Sequence, residues 1–174
     1  MIKHYQKVTW LLQSFEKEKK DVLLKLDQLQ MILNDYPCKE KLRSKKHLRD
    51  IERIIKFLKG KYFLHIKLDE GVIFPFLEKH VPRLEPVLRL LRDERNKFKG
   101  SLETFEELYK RFIATKGEDD YNKIMSKLKE KGTYLTCLAR NHIQMEDENV
   151  YKVIKTELHG EEKNKLMNQL QECC

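Results

Sequence analysis

His65-Ile66-Lys67-Leu68-Asp69-Glu70-Gly71-Val72-Ile73-Phe74-Pro75-Phe76-Leu77 is the stretch on which the reading of the fold turns. Its apolar residues continue a pattern that begins upstream: Leu48, Ile51, Ile55, Leu58, Tyr62, His65, Asp69, Val72, Phe76. Steps alternating between three and four keep one face of a helix turned towards a core. His65 and Asp69 stand in the middle of that face, four residues apart and therefore side by side. The pattern is expected to end near Pro75, with Pro82 and Pro86 closing it off.

Three more stripes of the same kind surround it. The first reads Val8, Leu12, Phe15, Lys19, Val22, Leu26, Leu29, Leu33, and Asn34-Asp35-Tyr36-Pro37 breaks it. The third reads Leu88, Leu91, Arg95, Phe98, Leu102, Phe105, Tyr109, Phe112, stopped by Lys116-Gly117. The fourth is looser: Tyr121, Ile124, Leu128, Leu135, Leu138, His142, Met145, Glu146, Val150, Val153. A short tail helix, Glu161 to Leu170, follows the break at His159-Gly160. Short loops between long amphipathic helices make neighbours antiparallel. The expected fold is therefore all-α, an up-down-up-down antiparallel four-helix bundle with a short C-terminal helix, in one domain spanning 1–174. Gly60, Gly71, Gly100 and Gly132 lie inside these helices, each at a cost of about 1 kcal/mol against alanine.

Composition agrees with that class. The 174 residues are 40% hydrophobic and 37% charged, with six glycines and four prolines, a balance suited to long helices. No apolar run reaches the ~18 residues of a membrane span, and Lys17, Lys19 and Lys20 interrupt any signal-peptide profile. The net charge of +8 is spread as lysines among glutamates, as in Phe15-Glu16-Lys17-Glu18-Lys19-Lys20-Asp21. That is the pattern of a solvated face, and nucleic acid is not an expected partner. Cys38, Cys137, Cys173 and Cys174 form no CxxC, and Cys137 reads as a small buried hydrophobe. A reducing cytoplasmic setting is the simplest expectation.

Each stripe carries a charged or imidazole residue in mid-seam: Lys19; His65 with Asp69; Arg95; His142 with Glu146. Lys19 to His65 is 46 residues and Arg95 to His142 is 47, so the halves repeat at an offset of 76 to 77. Polar groups from four helices should then meet at one level. Burying them without partners costs several kcal/mol each, so they must satisfy one another or something bound between them. Glu70 and Asp147 follow the site acids by one residue and point some 100° away; solvent is their default, and support of the neighbouring acids their alternative. His47 lies about 27 Å along the helix from His65, outside the site. His80 falls at a helix end, His4 and His159 near a terminus and a break, and Trp10 in the core.

These segments resemble the hemerythrin-like family. His65 to Leu77 is similar to its HxxxEExxLFPxL segment, and His142-Ile143-Gln144-Met145-Glu146 to the matching HxxxE segment of the fourth helix. Phe15 to Val22 and Leu91 to Phe98 follow its LxxEHxxI signature on the first and third helices. The resemblance implies a non-haem diiron site, with one histidine from each helix and the two i+4 carboxylates bridging the irons. Here Lys19 and Arg95 stand in place of two of those histidines, and Asp69 in place of a glutamate. Arginine stays protonated and cannot ligate; lysine could ligate only with a strongly lowered pKa. Two cations facing two acids point to an ion-pair network in place of the irons.

Retained metal at His65, Asp69, His142 and Glu146 is the alternative. A haem held by His65 and His142 has no motif behind it and is not expected. No catalytic triad, phosphate loop or zinc knuckle is present, so no catalytic residue is assigned and an enzyme is not the favoured reading. The leading expectation is a non-catalytic regulatory or structural module. Its rivals are an iron-binding protein that handles or senses oxygen, nitric oxide or iron, and a residual iron oxidase or peroxidase. A protein partner and the oligomeric state stay open.

Overall fold

A computed structural model describes residues 2–34, 45–116 and 118–172, with side chains described from Phe15 onwards apart from 118 and 119. Val8, Leu12, Trp10 and His4, the break at 35–37, Gly117, Cys38, Cys173 and Cys174 therefore lie outside the described side chains or residues. Among the described residues there are five helical runs and no strand: α1 (Ile2–Asn34), α2 (45–80), α3 (Glu85–Ala114), α4 (118–156) and α5 (Gly160–Glu172). No helix among them is long and apolar enough to cross a membrane.

Burial follows the stripes. Leu26, Leu29 and Leu33 on α1, Ile51 and Leu58 on α2, Phe98, Leu102 and Phe105 on α3, and Leu128 and Leu135 on α4 are almost fully enclosed. The core is in fact two apolar clusters. One holds Val22 to Leu33, Ile51 to Ile66, Phe98 to Phe112 and Tyr121 to Ile143. The other holds Phe15, Val72 to Leu77, Leu84 to Leu91, Val150 to Leu158, and Leu166 to Leu170 of α5. Every long helix passes from one cluster to the other at its polar residue: α1 and α3 run out of the second cluster at Lys19 and Arg95, α2 and α4 enter it after Asp69 and Glu146. Alternation of that direction along the chain is the up-down-up-down arrangement. It places the polar layer as a partition between two greasy compartments.

Two helices carry wider turns. In α2 the runs Leu58–Tyr62 and Asp69–Ile73 are π-turns, and in α4 so is Asp147–Tyr151. Phe74 N–H bonds back to Asp69 C=O and Lys152 N–H to Asp147 C=O, five residues rather than four. This explains a departure from expectation at Pro75, which does not end the helix; α2 continues to His80. The proline sits just after a π-turn, where the ladder has already shifted by one residue and a missing N–H disrupts least. Pro82 opens a 3₁₀ turn and Pro86 lies in the first turn of α3, where its absent donor costs nothing.

Cys137 also differs from its expected place: it is exposed. Leu135, Thr136 and Ala139 take the inward positions around it, and one more residue of helical rotation carries the thiol outwards. Close approach of α1, α3 and α4 is set at Gly132, where a Cβ would collide with the Leu33 side chain and come within 3.0 Å of Phe105.

Candidate functional site

The partition is built from two copies of one small arrangement. On α2, His65 Nε2 lies 3.3 Å from Asp69 Oδ2, and on α4, His142 Nε2 lies 3.3 Å from Glu146 Oε1. Each imidazole turns its other nitrogen to a glutamate on the preceding helix: His65 Nδ1 is 3.1 Å from Glu18, and His142 Nδ1 is 3.8 Å from Glu94. Each cation follows that glutamate by one residue and reaches the other half of the bundle. Lys19 Nζ on α1 pairs with Asp147 on α4 at 2.7 Å, and Arg95 on α3 pairs with Glu70 on α2. The sequence offset of 76 to 77 is thus an approximate two-fold relation among side chains.

The two halves differ in depth. Lys19 is 5% exposed, and its ammonium lies 3.3 Å from Glu146 Oε2, inside the partition. The Arg95 side chain is 23% exposed and its guanidinium goes to Glu70, so it does not face Asp69 as expected. Glu70 and Asp147 are likewise not simply solvated: both open a π-turn or follow its first residue, and the wider turn lets each reach a cation on a neighbouring helix. Asp147 keeps one foot in water, with its side chain 54% exposed. His47 is partly buried near the start of α2, and His80 closes α2 with Nδ1 2.8 Å from Phe76 C=O. Neither belongs to the partition. His159 lies exposed before α5.

Tyr151, which sequence reasoning left in no role, closes the partition from the second cluster. Its hydroxyl donates to Asp69 Oδ1 at 2.8 Å, and Lys19 Nζ stands 3.5 Å from its ring centroid. Nothing in the sequence separates it from an ordinary core aromatic. Glu18 and Glu94 were more legible, since each precedes its cation in both halves of the repeat.

The two buried acids titrate in opposite directions. Burial and the neighbouring Glu146 charge push Asp69 up to about 7, against the pull of His65, Tyr151 and Lys19. Burial would raise Glu146 too, but His142 and the charges of Lys19 and His65 outweigh it and hold the carboxyl down at about 2. A proton entering the pair goes to Asp69, which lacks a cation of its own, and Glu146 stays ionised. Burial works against protonation of His65, yet Asp69, the Glu18 hydrogen bond and Glu146 together raise its pKa.

Among the described residues, one group of ligand-type side chains is close enough to hold an ion: His65, Asp69 and Glu146, with ligand atoms all within 4.8 Å of one another. His65 Nε2 and Asp69 Oδ2 are buried with no aligned hydrogen bond. That spacing suits one ion, whose ligands lie about 2.0–2.2 Å from it. Two metal ions sit about 3.5–4 Å apart and need donors on both sides. Here α1 supplies an ammonium and α3 a guanidinium turned away to Glu70, so the residues present do not fit a diiron centre. A cavity of about 220 Å³ between α1 and α2, lined by Glu18, Lys19, Tyr62, Leu64 and His65 among others, reaches the partition from outside.

Comparison with known proteins gives one family. The model of the hemerythrin HHE cation-binding domain matches residues 26–154. No curated protein matches the chain.

Proposed function

This chain belongs to the hemerythrin HHE cation-binding domain family, and we propose that it works as a non-catalytic regulatory or structural member in which an ion-pair network stands where a diiron centre would be. The observation that carries this reading is the buried ammonium of Lys19, 3.3 Å from Glu146 and 2.7 Å from Asp147. A fixed positive charge at that depth repels a dication through a medium of low dielectric. It also occupies the carboxylate oxygen that a second iron would need. Arg95 adds nothing that can ligate. Without two irons there is no pair of metals for oxygen to bridge, and the ion-pair network offers no reacting group of its own. What remains is a rigid bundle whose polar partition is a structural device.

The test is anaerobic reconstitution with ferrous iron, followed by elemental analysis and an optical spectrum in air. Fewer than two irons per chain and no oxo-bridged absorption in the near ultraviolet are expected. Two irons per chain with that absorption would overturn the reading. Replacing Lys19→His and Arg95→His together should create the missing capacity in a folded protein.

A further inference from the structure

We propose that the cleft between the end of α3 and the start of α4 binds an organic di- or triphosphate of nucleotide size, its phosphoryl groups held by Arg111, Lys116, Lys123 and Lys127. The cleft stands apart from the partition, since Arg111 lies about 24 Å along α3 from Arg95. The inference goes beyond the reading above, which gives the bundle no small ligand, and does not depend on it.

Three observations carry it. First, the charge of this cleft is one-sided. Arg111 on α3, Lys116 in the link, and Lys123 and Lys127 on α4 line it, against one acid among the described residues, Asp120. Four cations less one acid leave an excess of three positive charges. Two other surface cavities differ. The one beside His65 sets Glu18 and Asp21 against Lys19 and Lys61. In the one between α2 and α3, Lys56 pairs with Glu52 at 2.9 Å, and Lys59 and Lys110 pair with Glu106 at 2.7 and 2.9 Å. Among the described residues, no ion pair joins Arg111, Lys116, Lys123 or Lys127 to a carboxylate.

Second, the helices do not need these cations. Arg111 and Lys116 offset the carbonyl end of α3, although Thr115 Oγ1 already donates to the Arg111 carbonyl at 2.8 Å. Lys123 and Lys127 lie beyond the first turn of α4 but near its amino end, where a positive charge gains nothing from the dipole. Four residues apart, they stand side by side as a like-charged pair, which costs a helix a few tenths of a kcal/mol. An anion between them and Arg111 turns that repulsion into binding.

Third, size and lining select the ligand. The cleft holds about 460 Å³, within the rough range of 300–1,000 Å³ for small-molecule sites. One phosphate monoester carries about −1.5 to −2 at pH 7 and would leave the cleft cationic; two or three linked phosphoryl groups match it. The Arg111 fork suits a phosphoryl group held by two parallel bonds, with the lysines as point charges. Leu108, nearly buried, and Ile124, partly buried, give the same cleft an apolar wall, against which the organic part of the ligand can lie.

Calorimetric titration of the whole chain, with EDTA present so that no metal takes part, compares ATP, inorganic tripolyphosphate and inorganic phosphate. One ATP per chain is expected, bound at least threefold tighter than tripolyphosphate and far tighter than phosphate. Arg111→Ala with Lys127→Ala should weaken ATP binding at least tenfold, and Asp120→Asn should tighten it severalfold. Lys56→Ala with Lys59→Ala removes the same charge from the cavity between α2 and α3 and should leave the affinity within twofold. No binding of ATP or tripolyphosphate at millimolar concentration would overturn the inference. Equal losses from the two double variants would overturn it too, by showing attraction to the net charge alone. Tripolyphosphate bound as tightly as ATP would remove the part given to Leu108 and Ile124. Duplex DNA, or vesicles carrying a phosphoinositide, bound through these residues where ATP is not would replace the small ligand with a macromolecular surface and so refute it. All the substituted side chains are exposed, so folding is expected to survive; should the Arg111/Lys127 variant fail to fold, Asp120→Asn still decides, since unchanged affinity there counts against the cleft.

Discussion

The Lys19 ammonium lies 3.5 Å from the centroid of the Tyr151 ring, so the buried cation of α1 rests on an aromatic face from α4 as well as on carboxylates. The hydroxyl of the same ring donates to Asp69 Oδ1 on α2 at 2.8 Å. One side chain therefore ties three helices together at the boundary between the two apolar clusters. Its ring also meets Phe15 edge-on at 5.9 Å, which keeps it from turning away.

Tyr151→Phe separates the two roles, since it keeps the ring beneath Lys19 and removes only the donor to Asp69. A buried acceptor left without its donor costs about 1–3 kcal/mol. The expected loss of stability in urea denaturation is of that size, and Tyr151→Leu, which also removes the cation–π contact, should lose more. A Tyr151→Phe protein as stable as its parent would show that the Asp69 contact contributes nothing.

Lys19→Met keeps the stem and removes the charge, leaving Glu146 buried with only imidazoles for company. Breaking a buried pair in this way costs about 3–5 kcal/mol. Adding Glu146→Gln should recover part of the loss, because the stranded charge goes with it. Arg95→Met should cost less than Lys19→Met, since the Arg95–Glu70 pair is part-exposed and screened. Denaturation of the single and double variants at neutral pH checks the order.

The acids give the fold a signed pH dependence. Asp69 is pushed up to about 7 from an ordinary value of 3.8, so between those limits the native state holds a proton that the unfolded chain has released. Stability must fall as pH rises across that window. His65, also raised, contributes stability that is complete below its ordinary 6.5 and lost as pH climbs through its folded value. Glu146 works the other way: held at about 2 against an ordinary 4.5, its contribution is present above 4.5 and lost as pH drops towards 2. The midpoint of thermal unfolding should therefore peak in mildly acidic buffer and decline towards pH 8. Asp69→Asn should flatten the alkaline limb; a limb of unchanged slope would locate the titrating group elsewhere.

Much of this was legible in the sequence because a bundle repeats its message. The stripe from Ile51 to Phe76 is inside at every position named, since a three-four spacing fixes a face wherever the helix runs. The mid-seam placement of Lys19, His65, Asp69, His142 and Glu146 was equally readable, for the same reason. What escaped was local. A π-turn has no strong residue signature, so the reach of Glu70 and Asp147 to cations on neighbouring helices and the passage of α2 through Pro75 could not be derived from a period of 3.6. Arg95 sits at the same register as Lys19, yet its longer, forked head reaches outwards to Glu70. Cys137 escaped because Leu135, Thr136 and Ala139 fill the inward positions around it on α4, which leaves the thiol on the outer face.

Helical glycines, finally, should respond in opposite directions to the same substitution. At Gly100 on α3 nothing lies within 4 Å of an added Cβ, and the residue is exposed in an otherwise regular helix. Gly100→Ala should therefore stabilise the fold by about 1 kcal/mol, the difference in helix propensity. At Gly132 the same Cβ would strike the end of Leu33 and press on Phe105 at 3.0 Å, both of them fully buried. The propensity gain remains, but overpacking of a tight core costs about 1–3 kcal/mol, and the helices α1, α3 and α4 would have to part to relieve it. Gly132→Ala should thus destabilise while Gly100→Ala stabilises, read as shifts of opposite sign in thermal midpoint. A stabilised Gly132→Ala would mean that Leu33 can turn aside freely, and that the close approach of α1 to α4 is not set by this glycine.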